Sequence, residues 1–377
     1  MNYQRKQDIQ SNLYPGRVLI IYGPRRVGKT TLLQSYLNAR GDKKIFSATG
    51  DDIVVRELFL SENRARILDF AAPYEIIAID EAQNVKNIGI GTKMIIDAFP
   101  EKILILTGSS SFDLSREIGE PLTGRHFTLT LLPFAQIEMN ASKFELNNAL
   151  EDFLIYGSYP EGLSAPTKAM RAKILTELIS SYLFKDILAL DKIKSPDLLL
   201  DIARCLAFQV GGEVSFNEIA KIVKSDVKTV QRYIDALEKM FVIKKVRGFS
   251  KNLRNEISKK SKFYFYDNGV RNAVISQFNE LDSRDDVGRL WENFIFTELM
   301  KKSGIEQTPD TFYFWRAYTG QEIDIIKESA GTLFAIECKW SKEIAMAPSL
   351  WKENYKNSKF EIINKNNYLE YFLKSKK

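Results

Sequence analysis

Residues 18–33 read VLIIYGPRRVGKTTLL: an apolar run, a loop with glycines at positions 23 and 28, and a helix-forming run that starts near Lys29. A strand, a Gly-x-x-x-x-Gly-Lys-Thr loop and a helix in this order are typical of a phosphate-binding Walker A loop. The two glycines allow the loop to turn its N–H groups toward phosphate oxygens, and the N-terminus of the following helix adds to that attraction. The stretch therefore predicts an α/β domain whose parallel sheet presents this loop at one edge.

The loop assigns roles to particular side chains. Lys29 is expected to contact the β- and γ-phosphates of ATP, and the hydroxyl of Thr30 to bind Mg²⁺. The predicted nucleotide contacts are the consecutive residues of the loop and the first helical turn: Gly23, Pro24, Arg25, Arg26, Val27, Gly28, Lys29, Thr30 and Thr31. A turn that binds nothing is the alternative, but the strand and helix on its two sides favour nucleotide binding.

A second apolar strand ends in two acids. Residues 74–83 read YEIIAIDEAQ, so Asp80 and Glu81 stand at the C-terminal end of the strand, where open parallel sheets bind their ligands. Asp80 is expected to hold Mg²⁺ through water, as in a Walker B motif, and Glu81 to activate the water that attacks the γ-phosphate. The alternative for Glu81 is a solvated residue at the end of the strand.

Two further polar positions follow. The strand KILILTGSSS at 102–111 is expected between the Walker A and Walker B strands, and Ser109 is the first choice for a γ-phosphate sensor, although its neighbouring hydroxyls or a helix cap are equally good interpretations. Arg125, after Gly124, is a candidate for neutralising transition-state charge in cis or in trans. An ordinary surface arginine is the alternative for Arg125.

These motifs together resemble a known family. The Walker A loop, DEAQ at 80–83, TGSSS at 107–111 and LTGRHF at 122–127 are similar to those of prokaryotic AAA-type ATPases related to archaeal ATPases and STAND proteins. IYGSYPEGL at 155–163 and SYLFKDILALDKIK at 181–194 resemble the lid region of that family. The resemblance covers nearly the whole chain and implies ATP binding and a restriction-endonuclease-like domain at the C-terminus.

The middle of the chain predicts a helix-turn-helix. Residues 211–246 contain two runs with helically spaced apolar residues, separated by Ser225 and Asp226. Ser215 and Glu218 have the spacing of a capping box for the first helix, and Asp226 or its neighbour is expected to cap the second.

This region also carries the basic excess of the chain. Between Asp197 and Lys262 there are 14 Lys and Arg against 8 Asp and Glu, a difference of +6 that equals the net charge of the whole chain. The second helix is expected to present Lys228, Thr229, Gln231 and Arg232 to DNA, and the following basic stretch has the layout of a wing: Lys244, Lys245, Arg247, Lys251, Arg254, Lys259, Lys260 and Lys262. The segment up to YFYDNGVRN resembles the winged-helix region of the same family. A packing module without DNA contact is the alternative.

Carboxylates inside apolar strands mark the C-terminal region. After a helix at 289–304 come strands at 311–318, 322–328 and 332–340, with Asp324 and Glu337 each flanked by apolar residues. If Ala330 and Gly331 form the hairpin loop, residues whose numbers sum to 661 face each other, which pairs Asp324 with Glu337. Lys339 lies on the same strand face as Glu337.

This pattern, with Glu292 on the preceding helix, resembles the PD-(D/E)XK nuclease core of restriction enzymes and archaeal Holliday-junction resolvases. The resemblance implies that Asp324 and Glu337 hold a second divalent metal, that Glu292 assists, and that Lys339 orients water for phosphodiester attack. The alternative is a nuclease-like domain kept for interaction, with its carboxylates paired to Lys339 or Arg316.

Composition excludes several other functions. The single histidine, His126, offers no basis for a Ser-His-Asp triad or a histidine-rich zinc site. The two cysteines, Cys205 and Cys338, lie far apart in the sequence and are expected to be buried thiols of a reducing compartment. No apolar run approaches the ~20 residues of a membrane helix, and the N-terminus lacks the ~7–15-residue core of a signal peptide. We therefore expect a cytoplasmic protein that makes no use of a membrane.

The sequence thus predicts an α/β chain of three domains: an AAA-type P-loop ATPase domain with a helical lid (1–190), a winged helix (191–272) and a PD-(D/E)XK nuclease-like α/β domain (283–377). The expected function is a Mg²⁺- and ATP-dependent DNA-processing ATPase with a metal-dependent nuclease site. The alternative is a STAND-like regulatory switch whose inactive C-terminal domain binds a protein partner. Self-association is compatible with either function.

Overall fold

The computed structural model describes residues 2–109, 121–185, 193, 195–250, 260–341 and 344–373. Contacts divide the chain into two compact units. The first consists of Arg5–Leu132 with Lys239–Phe241, and the second of Met1–Gln4, Pro133–Glu238 and Val242–Lys377. Each unit has its own main sheet. The first short strand of the chain, β1 (Asn2–Tyr3), belongs to the second unit.

The first unit is built on five parallel strands: β2 (Val18–Tyr22), β3 (Ile45–Thr49), β4 (Ile76–Asp80), β5 (Ile103–Gly108) and β6 (His126–Thr130). Their order in the sheet is β3-β4-β5-β2-β6. The predicted position of the strand around residues 103–108, between the Walker A and Walker B strands, is therefore confirmed. The predicted α/β fold class is confirmed as well, since this sheet is parallel throughout and carries helices in its crossovers.

Four helices accompany this sheet: α1 (Lys29–Asn38), α2 (Ile53–Leu60), α3 (Arg64–Ala71) and α4 (Ile88–Ala98). Two of them begin at side-chain caps, because Asp52 accepts from the N–H of Val54 and Asn63 from the N–H of Arg66. All of β2 is buried, as expected for an inner parallel strand covered on both faces.

The second unit starts with β7 (Met139–Asn140), which pairs with β1. Five helices follow: α5 (Lys143–Asn148), α6 (Leu150–Tyr156), α7 (Pro160–Ser164), α8 (Lys168–Lys185) and α9 (Pro196–Phe208). The first four of these helices lie in the range 1–190 that the sequence assigns to the ATPase domain with its lid, but by their contacts all five belong to the second unit. The motif at 181–194 lies partly outside the described residues.

The predicted helix-turn-helix is present. Strand β8 (Glu213–Val214) is followed by α10 (Phe216–Ile222), α11 (Val227–Lys239), β9 (Ile243–Gly248) and β10 (Ser261–Phe265). Asp226 caps α11 by accepting from the N–H of Thr229 at 2.9 Å, as predicted. The predicted capping box is wrong: Ser215 occupies the N-cap of α10, but its side chain accepts no capping hydrogen bond.

The remaining elements are α12 (Asn268–Val274), α13 (Val287–Glu306), β11 (Thr311–Arg316), β12 (Glu322–Ser329), β13 (Thr332–Cys338), α14 (Ser349–Asn354), β14 (Lys359–Ile363) and α15 (Tyr368–Leu373). Strands β8 to β14 form one seven-stranded sheet in the order β14-β13-β12-β11-β9-β10-β8. Its centre is the parallel pair β9 and β11, in which Tyr313 faces Arg247 and Phe314 faces Gly248. The two regions that the sequence treats as separate domains therefore share a sheet. In the described part of the chain, every helix is too short or too polar to cross a membrane.

Candidate functional site

The loop between β2 and α1 has the backbone of a phosphate-binding loop. Gly23 has φ +156° and Gly28 has φ +94°, values that disfavour residues with a Cβ atom. A Cβ atom on Gly23 would lie 2.0 Å from the carbonyl oxygen of Leu131, so only glycine fits there. Arg25, Arg26 and Thr31 are exposed, whereas Gly23, Pro24 and Val27 are buried.

Lys29 lies at the start of α1 with its ammonium inside the loop. The residue is 5% exposed, and its Nζ donates to the carbonyl oxygens of Gly23 at 2.9 Å and Pro24 at 3.0 Å. A buried ammonium needs such acceptors, and phosphate oxygens are stronger ones because they are charged. The position therefore suits the predicted contact with a nucleotide.

The predicted magnesium ligands of this unit are adjacent. The hydroxyl of Thr30 donates to Oδ2 of Asp80 at 2.6 Å, and the hydroxyl of Thr107 donates to the other carboxylate oxygen. Hydroxyl and carboxylate oxygens beside a phosphate-binding loop are the donors that Mg²⁺ prefers, so the residues fit this ion. Thr107 was only one of several hydroxyls in the sequence prediction, and the structure gives it the direct contact with Asp80.

Glu81 and Ser109 are joined by a residue that the sequence analysis missed. The side-chain nitrogen of Gln83 donates both to the carboxylate of Glu81 and, at 3.2 Å, to the hydroxyl of Ser109, which is buried. Among the described residues, Oε1 of Gln83 is a buried atom without a hydrogen-bond partner. Gln83 therefore holds Glu81, the predicted water-activating acid, beside Ser109, the predicted sensor. Its position as the last residue of the DEAQ motif is the feature of the sequence that could have indicated this role.

Glu81→Gln is expected to lower the rate of ATP hydrolysis roughly 10²–10⁴-fold, the usual contribution of a positioned base, while Mg²⁺-ATP binding persists. The substituted amide keeps an oxygen that can accept from Gln83 but cannot take a proton from water. Steady-state hydrolysis and nucleotide titration would separate the two effects. Glu75→Gln, at the opposite end of β4, is the matched control and should hydrolyse normally; turnover by Glu81→Gln at the same rate would refute the role of Glu81.

Arg125 lies at the end of the sheet opposite the phosphate-binding loop. His126, the next residue, pairs with Val18 at the start of β2, whereas the phosphate-binding loop follows Tyr22 at its end. Four strand residues separate these positions by roughly 13 Å. Arg125 forms an ion pair with Asp97 on α4. The predicted action in cis therefore does not fit the geometry of this unit, and action in trans stays a prediction.

The second candidate site lies on β12 and β13. The predicted hairpin register is confirmed, since Ile325 faces Ile336 and Ser329 faces Thr332. Asp324 is 7% exposed and accepts from the N–H of Cys338 at 2.8 Å. The Nζ atom of Lys339 lies 2.5 Å from Oε1 of Glu337.

Helix α13 and strand β10 complete this cluster. Glu292 accepts from the hydroxyl of Tyr264 at 2.6 Å and from Nζ of Lys262 at 3.1 Å. Lys262 and Tyr264 are two residues apart on β10 and therefore share one face of the strand. A Cβ atom on Gly211 would lie 3.0 Å from the carboxylate of Glu292, so the backbone at Gly211 packs closely against this acid. We call Lys262, Glu292, Asp324, Glu337 and Lys339 the carboxylate cluster.

The pKa values of the cluster shift for reasons that lie largely within the cluster itself. Burial raises the pKa of Glu292 to about 7, with Lys262 opposing the rise and Asp324 adding to it. Burial would lower the pKa of Lys262, but the carboxylates of Glu292 and Asp324 outweigh burial and the pKa is raised. Burial and Asp324 likewise raise the pKa of Glu337. The structure thus brings together all four residues that the sequence predicts for this site.

A divalent metal fits only part of the cluster. Oε2 of Glu337 is buried and, among the described residues, has no hydrogen-bond partner, which is the state expected of a metal ligand. Glu292, in contrast, already has two donors. Across the described residues, no group of three or more His, Cys, Asp or Glu has an arrangement that could hold a metal ion. Asp324 and Glu337 are therefore the pair that suits a cation.

The predicted basic surface is partly present. Of the predicted residues, Lys228, Gln231 and Arg232 on α11, Arg247 on β9 and Lys260 before β10 are exposed, whereas Thr229, Lys244 and Lys245 are half-buried. Lys224, before α11, is a further exposed lysine that was not predicted for this surface. Lys251, Arg254 and Lys259 lie outside the described residues. The assignment of Lys262 to this surface is wrong, because its side chain is 5% exposed and paired with Glu292.

Comparison with known proteins divides the chain into three matched regions. Residues 15–140 match the model of an AAA domain. Residues 147–281 match a domain of unknown function (DUF8612), and residues 287–367 match another (DUF4143).

Similar proteins occur in archaea and bacteria. An uncharacterized protein of Methanocaldococcus jannaschii is 25% identical over 341 residues, covering 85% of this chain and 74% of that protein. An uncharacterized protein of Mycobacterium tuberculosis is 23% identical over 343 residues, covering 90% of this chain and 74% of that protein. Solved RuvB structures of Thermotoga maritima align with 61% of this chain and 82% of theirs at 17% and 16% identity, with TM-scores of 0.27 and 0.28. Residues 15–140 therefore form an AAA domain of the P-loop ATPase type, joined to two domains of unknown function.

Proposed function

We propose that this chain is a Mg²⁺-dependent ATPase that binds DNA and couples its nucleotide state to metal-dependent DNA cleavage in the C-terminal region. The observation that carries the cleavage proposal is the convergence of Glu292, Asp324, Glu337 and Lys339 from one helix and two strands. The test is a cleavage assay with the purified chain, Mg²⁺ or Mn²⁺, and single-stranded, duplex and branched DNA, with and without ATP.

In the AAA domain each residue acts on the nucleotide or on water. Lys29 exchanges its two carbonyl acceptors for phosphate oxygens, and the loop N–H groups orient the triphosphate. Thr30 and Asp80 are the residues that would hold Mg²⁺, which neutralises phosphate charge. Glu81, held by Gln83, accepts a proton from the attacking water, and Ser109 reports the state of the γ-phosphate to that pair.

In the carboxylate cluster the residues act on a phosphodiester. Asp324 and Glu337 would hold a divalent cation, which supplies charge stabilisation and a more acidic water. Lys339 holds the carboxylate of Glu337 in place and orients the attacking water. Tyr264 and Gly211 fix Glu292 beside this centre. This arrangement supports assignment of the C-terminal region to a PD-(D/E)XK-like domain.

We further propose that β8, α10, α11, β9 and β10 form a winged helix that contacts DNA. The order of these elements and the antiparallel pairing of β10 with both β9 and β8 support the proposal. Helix α11 would face the DNA, because Lys228, Gln231 and Arg232 project from it into solvent. Phosphate contacts by these cations would give affinity without strong sequence preference.

Replacing Lys224, Lys228 and Arg232 together by Gln is expected to weaken DNA binding for all sequences alike. Loss of three phosphate contacts should also reduce the slope of log K against log salt by about 2.7, at about 0.9 per contact. Fluorescence anisotropy over a salt series measures both quantities. Lys352, Lys356 and Lys359, exposed elsewhere in the same unit, provide the matched triple control. Unchanged affinity and slope in the first variant would make this region a packing module.

A regulatory switch without nuclease activity is the second candidate function. The observation in its favour is that Lys262 and Tyr264 already satisfy Glu292, so the cluster holds together without a metal. In that case ATP would control the binding of a protein partner instead of DNA cleavage. The cleavage assay separates the two candidates.

A further inference from the structure

The carboxylate cluster contains a cation that its sequence motif does not include. Lys262 comes from β10, three strands away from β12 in the sheet order. Its ammonium lies 3.1 Å from Oε1 of Glu292 and 5.5 Å from the centre of the Phe314 ring, and the residue is 4% exposed. Glu292 and Asp324 both act on its charge. A buried ammonium in this place neutralises carboxylates as a metal ion would.

We propose that Lys262 is the resident counter-ion of the carboxylate cluster and competes with a divalent metal for it. The proposal rests on the proposed metal-dependent function of this site. It concerns the regulation of the site, because the metal can bind strongly only when the ammonium of Lys262 moves away from Asp324 and Glu292. The two states share the same carboxylates and differ in which cation neutralises them.

Three features of the described residues support competition rather than cooperation. First, Lys262 is buried, pairs with Glu292 at 3.1 Å and acts electrostatically on Asp324, so a divalent ion held by Asp324 would repel its ammonium in this poorly hydrated space. Second, the ammonium of Lys339 already lies 2.5 Å from the carboxylate of Glu337. The two acids would therefore keep one cationic partner after Lys262 had moved away. Third, Tyr264 would still donate to Glu292 after Lys262 had moved, so this acid would keep one partner.

Lys262 also differs in exposure from Lys260, the lysine two residues before it in the sequence. Lys260 is exposed, whereas Lys262 points to the face of β10 that packs against α13. The two lysines are matched in charge and lie two positions apart, Lys260 just before β10 and Lys262 within it, and only Lys262 reaches the carboxylates. Lys260→Met is consequently a control for the loss of one positive charge from this segment.

The test is calorimetric titration of the full chain with Mn²⁺, without nucleotide or DNA. Lys262→Met should bind Mn²⁺ at least about tenfold more tightly than the wild type, which corresponds to about 1.4 kcal/mol. Lys260→Met should bind as the wild type does. The second readout is thermal unfolding: metal-free Lys262→Met should unfold at a lower temperature than the wild type, and saturating Mn²⁺ should raise its midpoint by more than it raises that of the wild type. Lys262→Gln, which keeps a donor for Glu292, repeats the test if the Met variant does not fold.

The outcomes separate this inference from the proposed function. Tight Mn²⁺ binding by Lys262→Met that disappears in Lys262→Met with Asp324→Asn supports both. Equal Mn²⁺ affinity in the wild type and Lys262→Met, lost in Asp324→Asn, overturns the competition and leaves the metal site standing. Absence of Mn²⁺ binding in the wild type and in both Lys262 variants overturns the metal site and the competition together.

Discussion

Lys29→Ala is expected to abolish measurable binding of Mg²⁺-ATP. The side chain is the only ammonium inside the loop among the described residues, and its position at the start of α1 suits contacts with two phosphates. Each hydrogen bond to a charged group contributes about 1.5–3 kcal/mol, so two contacts amount to about 3–6 kcal/mol, or two to four powers of ten in affinity.

Titration with a fluorescent ATP analogue measures this loss. Lys44→Ala, an exposed lysine directly before β3, is the matched control and should bind ATP like the wild type. Circular dichroism should show that Lys29→Ala is folded, because the substitution removes only hydrogen bonds within one loop. Retained affinity in the folded variant would remove Lys29 from the nucleotide site.

Asp324→Asn is expected to abolish metal-dependent DNA cleavage and leave ATP hydrolysis unchanged. The amide can still accept from the N–H of Cys338, so the hairpin should persist, but a negative metal ligand is lost. Several kcal/mol of transition-state stabilisation depend on the bound metal, which predicts a loss of roughly a thousandfold or more.

Glu328→Gln provides the matched control, since Glu328 lies on the same strand near the hairpin loop, away from the cluster. Cleavage and ATP hydrolysis should be measured on the same preparations of the wild type and both variants. Cleavage that persists in Asp324→Asn would point to a contaminating nuclease and would refute the assignment of the carboxylate cluster as a nuclease site.

Local features could be predicted from the sequence because neighbouring residues determine them. The hairpin register is the clearest case: Ala330 and Gly331 both have positive φ, +47° and +77°, as a two-residue loop between antiparallel strands requires. A loop of fixed length sets the register of both strands, so Asp324 and Glu337 could be aligned by counting. The Walker A loop is equally local, since a strand, two glycines and a helix specify it.

Long-range features could not be predicted in the same way. Lys262 follows several lysines and therefore has the appearance of a surface residue, and only the packing of α13 against β10 buries it. The parallel pairing of β9 with β11, which merges two expected domains into one sheet, joins segments about 65 residues apart and has no local signature. The charges of the two acids are likewise offset by separate cations: Lys339 pairs with Glu337, and Lys262, a cation from a distant strand, acts on Asp324.

The direction of strand β6 decides the position of Arg125. Its place after a glycine and before a strand suggested an arginine near the triphosphate, but the residue before a parallel strand lies at the edge opposite the ligand site. The ion pair with Asp97 confirms that location. The direction of the strand was therefore more informative than the motif around the arginine.

The central claim, that the carboxylate cluster is a nuclease site under the control of an ATPase domain, is tested most directly by cleavage of DNA by the purified wild-type chain. The assay compares single-stranded, duplex and branched DNA with Mg²⁺ or Mn²⁺, in the presence of ATP, of a non-hydrolysable analogue, or of no nucleotide. We predict that at least one DNA form is cut, that chelation of the metal stops the cleavage, and that the rate changes with the nucleotide. Failure to cut any of these DNA forms with either metal, by a preparation that hydrolyses ATP, would contradict the claim and favour the regulatory switch.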